Sequence, residues 1–214
     1  MTFERGALLV LEGCDRAGKS TQVKMLLQAL QDRQIPAEVM SFPDRSTTIG
    51  AKINKYLLKE IDLEPGEIHS LFSQNRWEKA NDMIKALQSG KTLIVDRYAA
   101  SGAAYASAYT GRDLDWCKNP DKGLPRPDLV AYLKVSEENQ MSRSNWGDER
   151  FEKREIQLNV ARNFQKLEED NWNIIDANQT IDNVQQQILN VALKTLQRVK
   201  HREIEKLYQN DDDA

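Results

Sequence analysis

The chain has 214 residues, 40% apolar and 29% charged, with a formal net charge of −3; that length supports one substantial core. The acid excess argues against a broad nucleic-acid-binding surface, for which a basic balance is expected, and no apolar run approaches the roughly 18 residues that span a bilayer. Met-Thr-Phe-Glu-Arg at the start lacks an apolar signal core, and Cys14 and Cys117 stand far apart without metal-ligand spacing, which reads as free thiols in a reducing compartment.

In chain order, Ala7-Leu8-Leu9-Val10-Leu11 is a buried-strand pattern, and Gly13-Cys14-Asp15-Arg16-Ala17-Gly18-Lys19-Ser20 follows it at once. The latter matches the G-x-x-x-x-G-K-[ST] phosphate loop. Gly13 and Gly18 permit the backbone angles that turn successive N–H groups onto a polyphosphate, and the next helix, with Val23, Leu26, Leu27 and Leu30 on one face, directs its positive end there. Lys19 is expected to reach the β and γ phosphates and Ser20 to hold Mg²⁺. Ala37 to Phe42 alternates toward the turn signal Pro43-Asp44, giving a second strand. Residues 46 to 60 and 66 to 89 carry helical spacing, the second closed by Gly90. Leu93-Ile94-Val95-Asp96, Leu129 to Leu133 and Trp172 to Asp176 complete five candidate strands. Strands separated by helices imply an α/β fold of three layers: a five-stranded parallel sheet with helices on both faces. The polar stretch 136–152 reads equally as a short lid or as an ordinary surface helix pair, and it leads into a helix with Ile156, Val160, Phe164 and Leu167 on one face. The last helix starts near Ile181 and runs on in charged residues to an acidic tail at about 209–214, read as solvated. No linker interrupts the chain, so residues 1–214 are read as a single domain.

A phosphate loop alone does not separate a switch, a motor and a small-molecule kinase. A GTPase would add a DxxG switch and an NKxD motif; the only DxxG, Asp15 to Gly18, lies inside the loop, and NKxD is absent. Transfer between two nucleotides needs cations for a second anion, and arginines recur where a parallel sheet presents its carboxyl ends: Arg16 in the loop, Arg45 after the second strand, Arg97 after Asp96, and Arg76 on a helix. Singly each is more often a surface cation; jointly they favour a kinase. Phe72 and Arg76, four residues apart, share a helix face and could offer a base a ring and a donor, although Phe72 reads as readily as core beside Leu71. His69 and His201 have no partners that suggest metal or acid-base chemistry. A nucleotide-binding switch, or another nucleoside monophosphate kinase, stays open at this point.

Phe42-Pro43-Asp44-Arg45-Ser46-Thr47, Leu71-Phe72-Ser73-Gln74-Asn75-Arg76-Trp77-Glu78, Val95-Asp96-Arg97-Tyr98 and Leu114 to Leu129, together with the phosphate loop, resemble the thymidylate kinase (dTMP kinase) family of eukaryotes, over about residues 5 to 178. The resemblance implies ATP-dependent phosphorylation of dTMP to dTDP with Mg²⁺. It implies that Gly13, Asp15, Arg16, Ala17, Gly18, Lys19, Ser20 and Thr21 hold ATP, with Arg143 over the adenine, and that Ser20 and Asp96 organise Mg²⁺. Arg45 would clamp the acceptor phosphate, Phe72 stack on thymine, Arg76 bond the base, and Asp15 meet the 3′-hydroxyl. Arg97 would bridge the two phosphates and Arg16 steady the transferring group. Phe42, Gly102, Tyr105, Phe151 and Gln157 fall at acceptor-site positions. Phe151 stands where relatives often carry tyrosine, and Tyr105 where some carry phenylalanine, which bears on deoxyribose discrimination. The acceptor is a phosphate monoester with a second pKa near 6, already largely a dianion at neutral pH, so no general base is expected. The resemblance also implies a homodimer that binds nucleotides; from charge and hydropathy, neither nucleic acid nor membrane is expected as a partner. A cytoplasmic setting is expected, with nucleus and mitochondrion as further candidates.

Overall fold

A computed structural model describes residues 4–142 and 148–209. In chain order the first elements are β1 (Leu8–Glu12), α1 (Lys19–Gln31), β2 (Ala37–Ser41), α2 (Thr48–Leu57) and α3 (Pro65–Gln88). Then come β3 (Thr92–Asp96), α4 (Ala99–Thr110), α5 (Leu114–Lys118), β4 (Leu129–Lys134) and α6 (Glu137–Ser142), and finally α7 (Arg154–Lys166), β5 (Trp172–Asp176) and α8 (Ile181–Val199). Every pairing within the sheet is parallel and the order is β2-β3-β1-β4-β5, so the five strands and the α/β architecture read from the sequence are those found.

Period-two alternation splits each central strand between two cores. Leu9, Leu11, Ile94, Ala131 and Leu133 face Leu26 and Leu30 of α1 and Ile188 and Ala192 of α8. Leu8, Val10, Leu93, Val95 and Val130 face Met83 and Leu87 of α3 on the other side. Both faces being covered is why these strands read as unbroken apolar runs.

The chain leaves β1 toward β2 and β3 on one side and β4 and β5 on the other, so a crevice opens beyond the carboxyl ends of β1 and β3. In register Leu11 lies beside Asp96 and Ser41 beside Asp96, which brings the residues after all three strands to one rim. Local signals set the helix limits: Pro65 opens α3, Thr47 Oγ1 accepts from Gly50 N at 3.0 Å to cap α2, and Gly90, at φ 87°, follows the end of α3.

The last helix departs from expectation. α8 stops at Val199, and the charged residues beyond it turn back along the segment after α5. Arg126 N donates to Glu205 O at 2.8 Å, Leu207 N to Leu124 O at 2.8 Å, and Gly123 N to Leu207 O at 2.9 Å, with Leu207 buried. Residues 210–214 of the acidic tail lie outside the described residues. Among the described residues, no helix is long and apolar enough to cross a membrane.

Candidate active site

The crevice is a cavity of about 910 Å³ whose wall includes Asp15 to Thr21, Phe42, Arg45, Phe72, Arg76, Asp96, Arg97, Gly102, Tyr105 and Phe151. It therefore gathers nearly all the sequence-selected residues, from segments up to 136 positions apart. Arg143 lies outside the described residues. Gly13 and Gln157 are not on the wall; both sit behind it, and their geometry explains what they do.

Gly13 has φ 149°, and a Cβ there would stand 2.7 Å from Leu133 O, so only glycine lets the loop pass the end of β4. The loop carbonyls it frees hold Lys19, whose Nζ donates to Gly13 O at 3.1 Å and to Cys14 O at 2.8 Å. Lys19 is buried. Burial, reinforced by the charge of Arg97, pulls its ammonium down to about 8, against the attraction of Asp96 and Asp15. Cys14 turns its Sγ to Gln157 O at 3.8 Å, and burial raises its thiol to about 11; both cysteines are free and buried.

Arg97 projects into the cavity from a left-handed backbone, φ 66°, a conformation that costs a non-glycine residue roughly 1 kcal/mol. Its surroundings impose it. Arg97 N donates to Leu11 O at 3.0 Å, and the buried Glu12 carboxylate accepts from Tyr98 N at 2.9 Å, from Ser101 N at 3.0 Å and from the Ser101 hydroxyl. Glu12 thus caps the first turn of α4 from the end of β1, where a carboxylate suits the helix dipole, while desolvation raises its pKa. The Arg97 guanidinium pairs with Asp15, reaches Gly13 O at 3.2 Å, and lies 5.2 Å from the Tyr105 ring centre. Gln157 reaches Asp15 twice, its Oε1 accepting from Asp15 N at 3.0 Å and its Nε2 donating to Oδ2 at 2.5 Å. Gln157 orients Asp15 and does not itself border the cavity.

Arg16, at φ 61°, pairs with Glu152 at 2.8 Å, and Arg45 pairs with Glu149 at 2.7 Å and with Asn54 Oδ1 at 2.6 Å. Glu149 N donates to Glu152 Oε2 at 3.2 Å. The turn at the end of the polar stretch therefore places two carboxylates on the two arginines expected to take phosphate groups. Arg150 fastens that turn to α2 by donating from Nε to Tyr56 O at 2.9 Å, its guanidinium 4.1 Å from the Tyr56 ring centre.

At the far end Phe72 and Arg76 both border the cavity, so Phe72 is a wall residue and not only core. Arg76 is 2% exposed and its Nε and Nη2 are taken by Asp121 at 3.1 and 2.7 Å. Tyr105, Tyr109 and Tyr56 surround Phe151 with ring centres 5.3 to 6.1 Å away. The Tyr105 hydroxyl is turned toward Arg97 Nη1 at 3.4 Å and Gln157 Nε2 at 3.5 Å. Ser20 Oγ donates to Asp96 Oδ2 at 2.5 Å across the loop mouth.

Sequence reasoning missed Glu12, Asp121, Glu149 and Glu152. Glu12 had a signal, a carboxylate ending a buried strand; the other three depend on long-range pairing. His69 is buried against Trp116, ring centres 5.0 Å apart, and borders the cavity.

The sequence profile described as thymidylate kinase matches residues 11–188. The chain is 44% identical over 211 residues to the thymidylate kinase of Danio rerio, covering 97% of this chain and 100% of that one. It is 46% identical over 191 residues to that of Homo sapiens, covering 88% and 90%. A solved structure of the Candida albicans thymidylate kinase superposes with a TM-score of 0.84 at 36% identity, covering 94% of this chain and 98% of that one.

Proposed function

The chain belongs to the thymidylate kinase family, and on that footing we propose that it transfers the γ-phosphoryl group of ATP to dTMP, giving dTDP and ADP. The observation that carries the reading is that one cavity joins the phosphate loop with Lys19 and Arg16 to a second cationic pair, Arg45 and Arg97, beside a ring and a buried guanidinium.

In this assignment loop N–H groups and Lys19 take the donor phosphates, and Arg45 takes the acceptor phosphate in place of Glu149. Arg97, steered by Asp15, stands between them. An oxygen of the dTMP dianion attacks the γ phosphorus as the bond to the β–γ bridging oxygen breaks, and ADP leaves with that electron pair. Little covalent work falls to the protein, so catalysis is alignment plus charge stabilisation by Arg16, Lys19 and Arg97. Phe72 carries the base, Arg76 bonds it, and Asp15 with the Tyr105–Phe151 wall takes the sugar.

The residues present fit Mg²⁺: Ser20 and Asp96 offer two oxygens at the loop mouth. Mg²⁺ is held through few protein oxygens and keeps waters and nucleotide oxygens as its other ligands. When bound, the ion neutralises charge on the β and γ oxygens. We assign residues 1–214 to one catalytic unit, working as a homodimer in the cytoplasm. The resemblance supports the dimer, and the free thiols Cys14 and Cys117 support a reducing compartment.

The test is a coupled ADP-release assay with ATP, Mg²⁺ and each nucleoside monophosphate in turn. Preference for dTMP is expected. ADP release without acceptor, or none with any acceptor, would overturn the assignment in favour of a nucleotide-binding switch.

A further inference from the structure

α3 grips the turn at 119–121 with three side chains spaced to share a face: Ser73 Oγ donates to Asp121 Oδ1 at 2.7 Å, Arg76 binds both Asp121 oxygens, and Trp77 Nε1 donates to Pro120 O at 2.9 Å. From outside, Leu207 holds the next residues through Gly123 and Leu124. Asp121 is 0% exposed and takes no part in the cavity wall, whereas Arg76 does. On its other side the guanidinium is pressed against α4, where a Cβ on Gly102 would lie 2.5 Å from Nη2.

This clamp leaves no freedom to the guanidinium plane. Two N–H directions are spent on Asp121, and Nη1 is the nitrogen that the carboxylate does not use. The buried counter-charge also removes the net positive charge that would otherwise draw a phosphate to this end of the cavity. What remains is a fixed donor suited to a ring carbonyl.

We propose that Asp121 is a positioning residue for recognition of the acceptor base, acting through Arg76, with Ser73 and Gly102 as its supports; the proposal rests on the cavity's being the dTMP site. Asp121→Asn keeps the shape but weakens the clamp. It is expected to raise KM for dTMP about 10- to 100-fold, the fold-change that a lost charge-assisted hydrogen bond gives, while KM for ATP and kcat at saturating dTMP stay within about twofold of the parent. In an Arg76→Met background the same change is expected to raise KM for dTMP no further, because both substitutions remove one interaction.

Should Asp121→Asn fail to fold, Ser73→Ala removes the hydroxyl that stands 2.7 Å from Asp121 Oδ1 and 2.9 Å from Pro120 O, and is expected to move KM for dTMP in the same direction by a few-fold. Equal rises in both KM values, or full additivity with Arg76→Met, would overturn the positioning role. Absence of dTMP turnover by the parent protein would instead overturn the reading of the site on which it rests.

Discussion

Lys19 makes nucleotide affinity and protein stability move in opposite directions as pH rises. Its ammonium is pulled from 10.5 to about 8 by burial and by Arg97, and among the described residues its hydrogen bonds go to two carbonyls. Bound ATP phosphates favour the charged form, so binding above pH 8 must take up a proton. With a free-state pKa of about 8, the dissociation constant is expected to weaken about tenfold between pH 7 and pH 9, equivalent to about 1.4 kcal/mol. Over the same range the ligand-free protein should gain about 1 kcal/mol from this group: the folded pKa is below the unfolded value, so the unfolded chain binds more protons. Cys14 and Cys117, raised to about 11, oppose that gain above pH 9. The assay is calorimetric titration of ATP with Mg²⁺ at pH 7, 8 and 9, in two buffers of different ionisation enthalpy, alongside urea unfolding. Lys19→Met should abolish the proton uptake. Affinity independent of pH, or no buffer-dependent heat at pH 9, would refute the reasoning.

Three further outcomes follow from the same geometry. Arg16→Ala and Lys19→Ala should each lower kcat by on the order of 10³, the scale on which cations act in phosphoryl transfer; a near-normal turnover in either, measured by the coupled assay, would remove its assigned role. Arg45→Ala should raise KM for dTMP well above any change in KM for ATP, and equal loss for both would contradict the division of the cavity into two anion sites. Glu149→Gln frees Arg45 from a half-exposed ion pair of 2.7 Å, and because such pairs are worth about 0.2–1 kcal/mol, KM for dTMP should fall about 1.4- to fivefold; a rise would show that Glu149 supports Arg45 instead of competing for it.

What could be read from the chain was what depends on neighbours in sequence. The phosphate loop is eight consecutive residues between an apolar strand and an amphipathic helix, and Arg45 and Arg97 follow strand ends, where parallel sheets bind ligands. Phe72 and Arg76 shared a face because four residues is one helical turn. Asp121 stood in a segment that carried the resemblance, yet its partner is 45 positions away on α3, and no periodicity encodes that. Glu149 and Glu152 read as a polar stretch because their partners, Arg45 and Arg16, lie 104 and 136 positions back. Gln157 was found from the resemblance but its place behind Asp15 comes only from α7 packing on α4. The residues after Val199 were misjudged because a mostly charged run carries no clear period; backbone bonds to residues 123–126 hold that return, with Leu207 buried in the core and Ile204 and Tyr208 packed against it.

The proposed transfer requires two nucleotides to meet in one cavity with their phosphates facing. A crystal structure with dTMP and a non-hydrolysable ATP analogue tests it most directly: an oxygen of the dTMP phosphate should stand about 3–3.5 Å from the γ phosphorus, in line with the bridging oxygen, with Arg45 and Arg97 on the acceptor and Lys19 on the donor. dTMP bound outside the cavity, or a γ phosphorus turned away from it, would contradict the account.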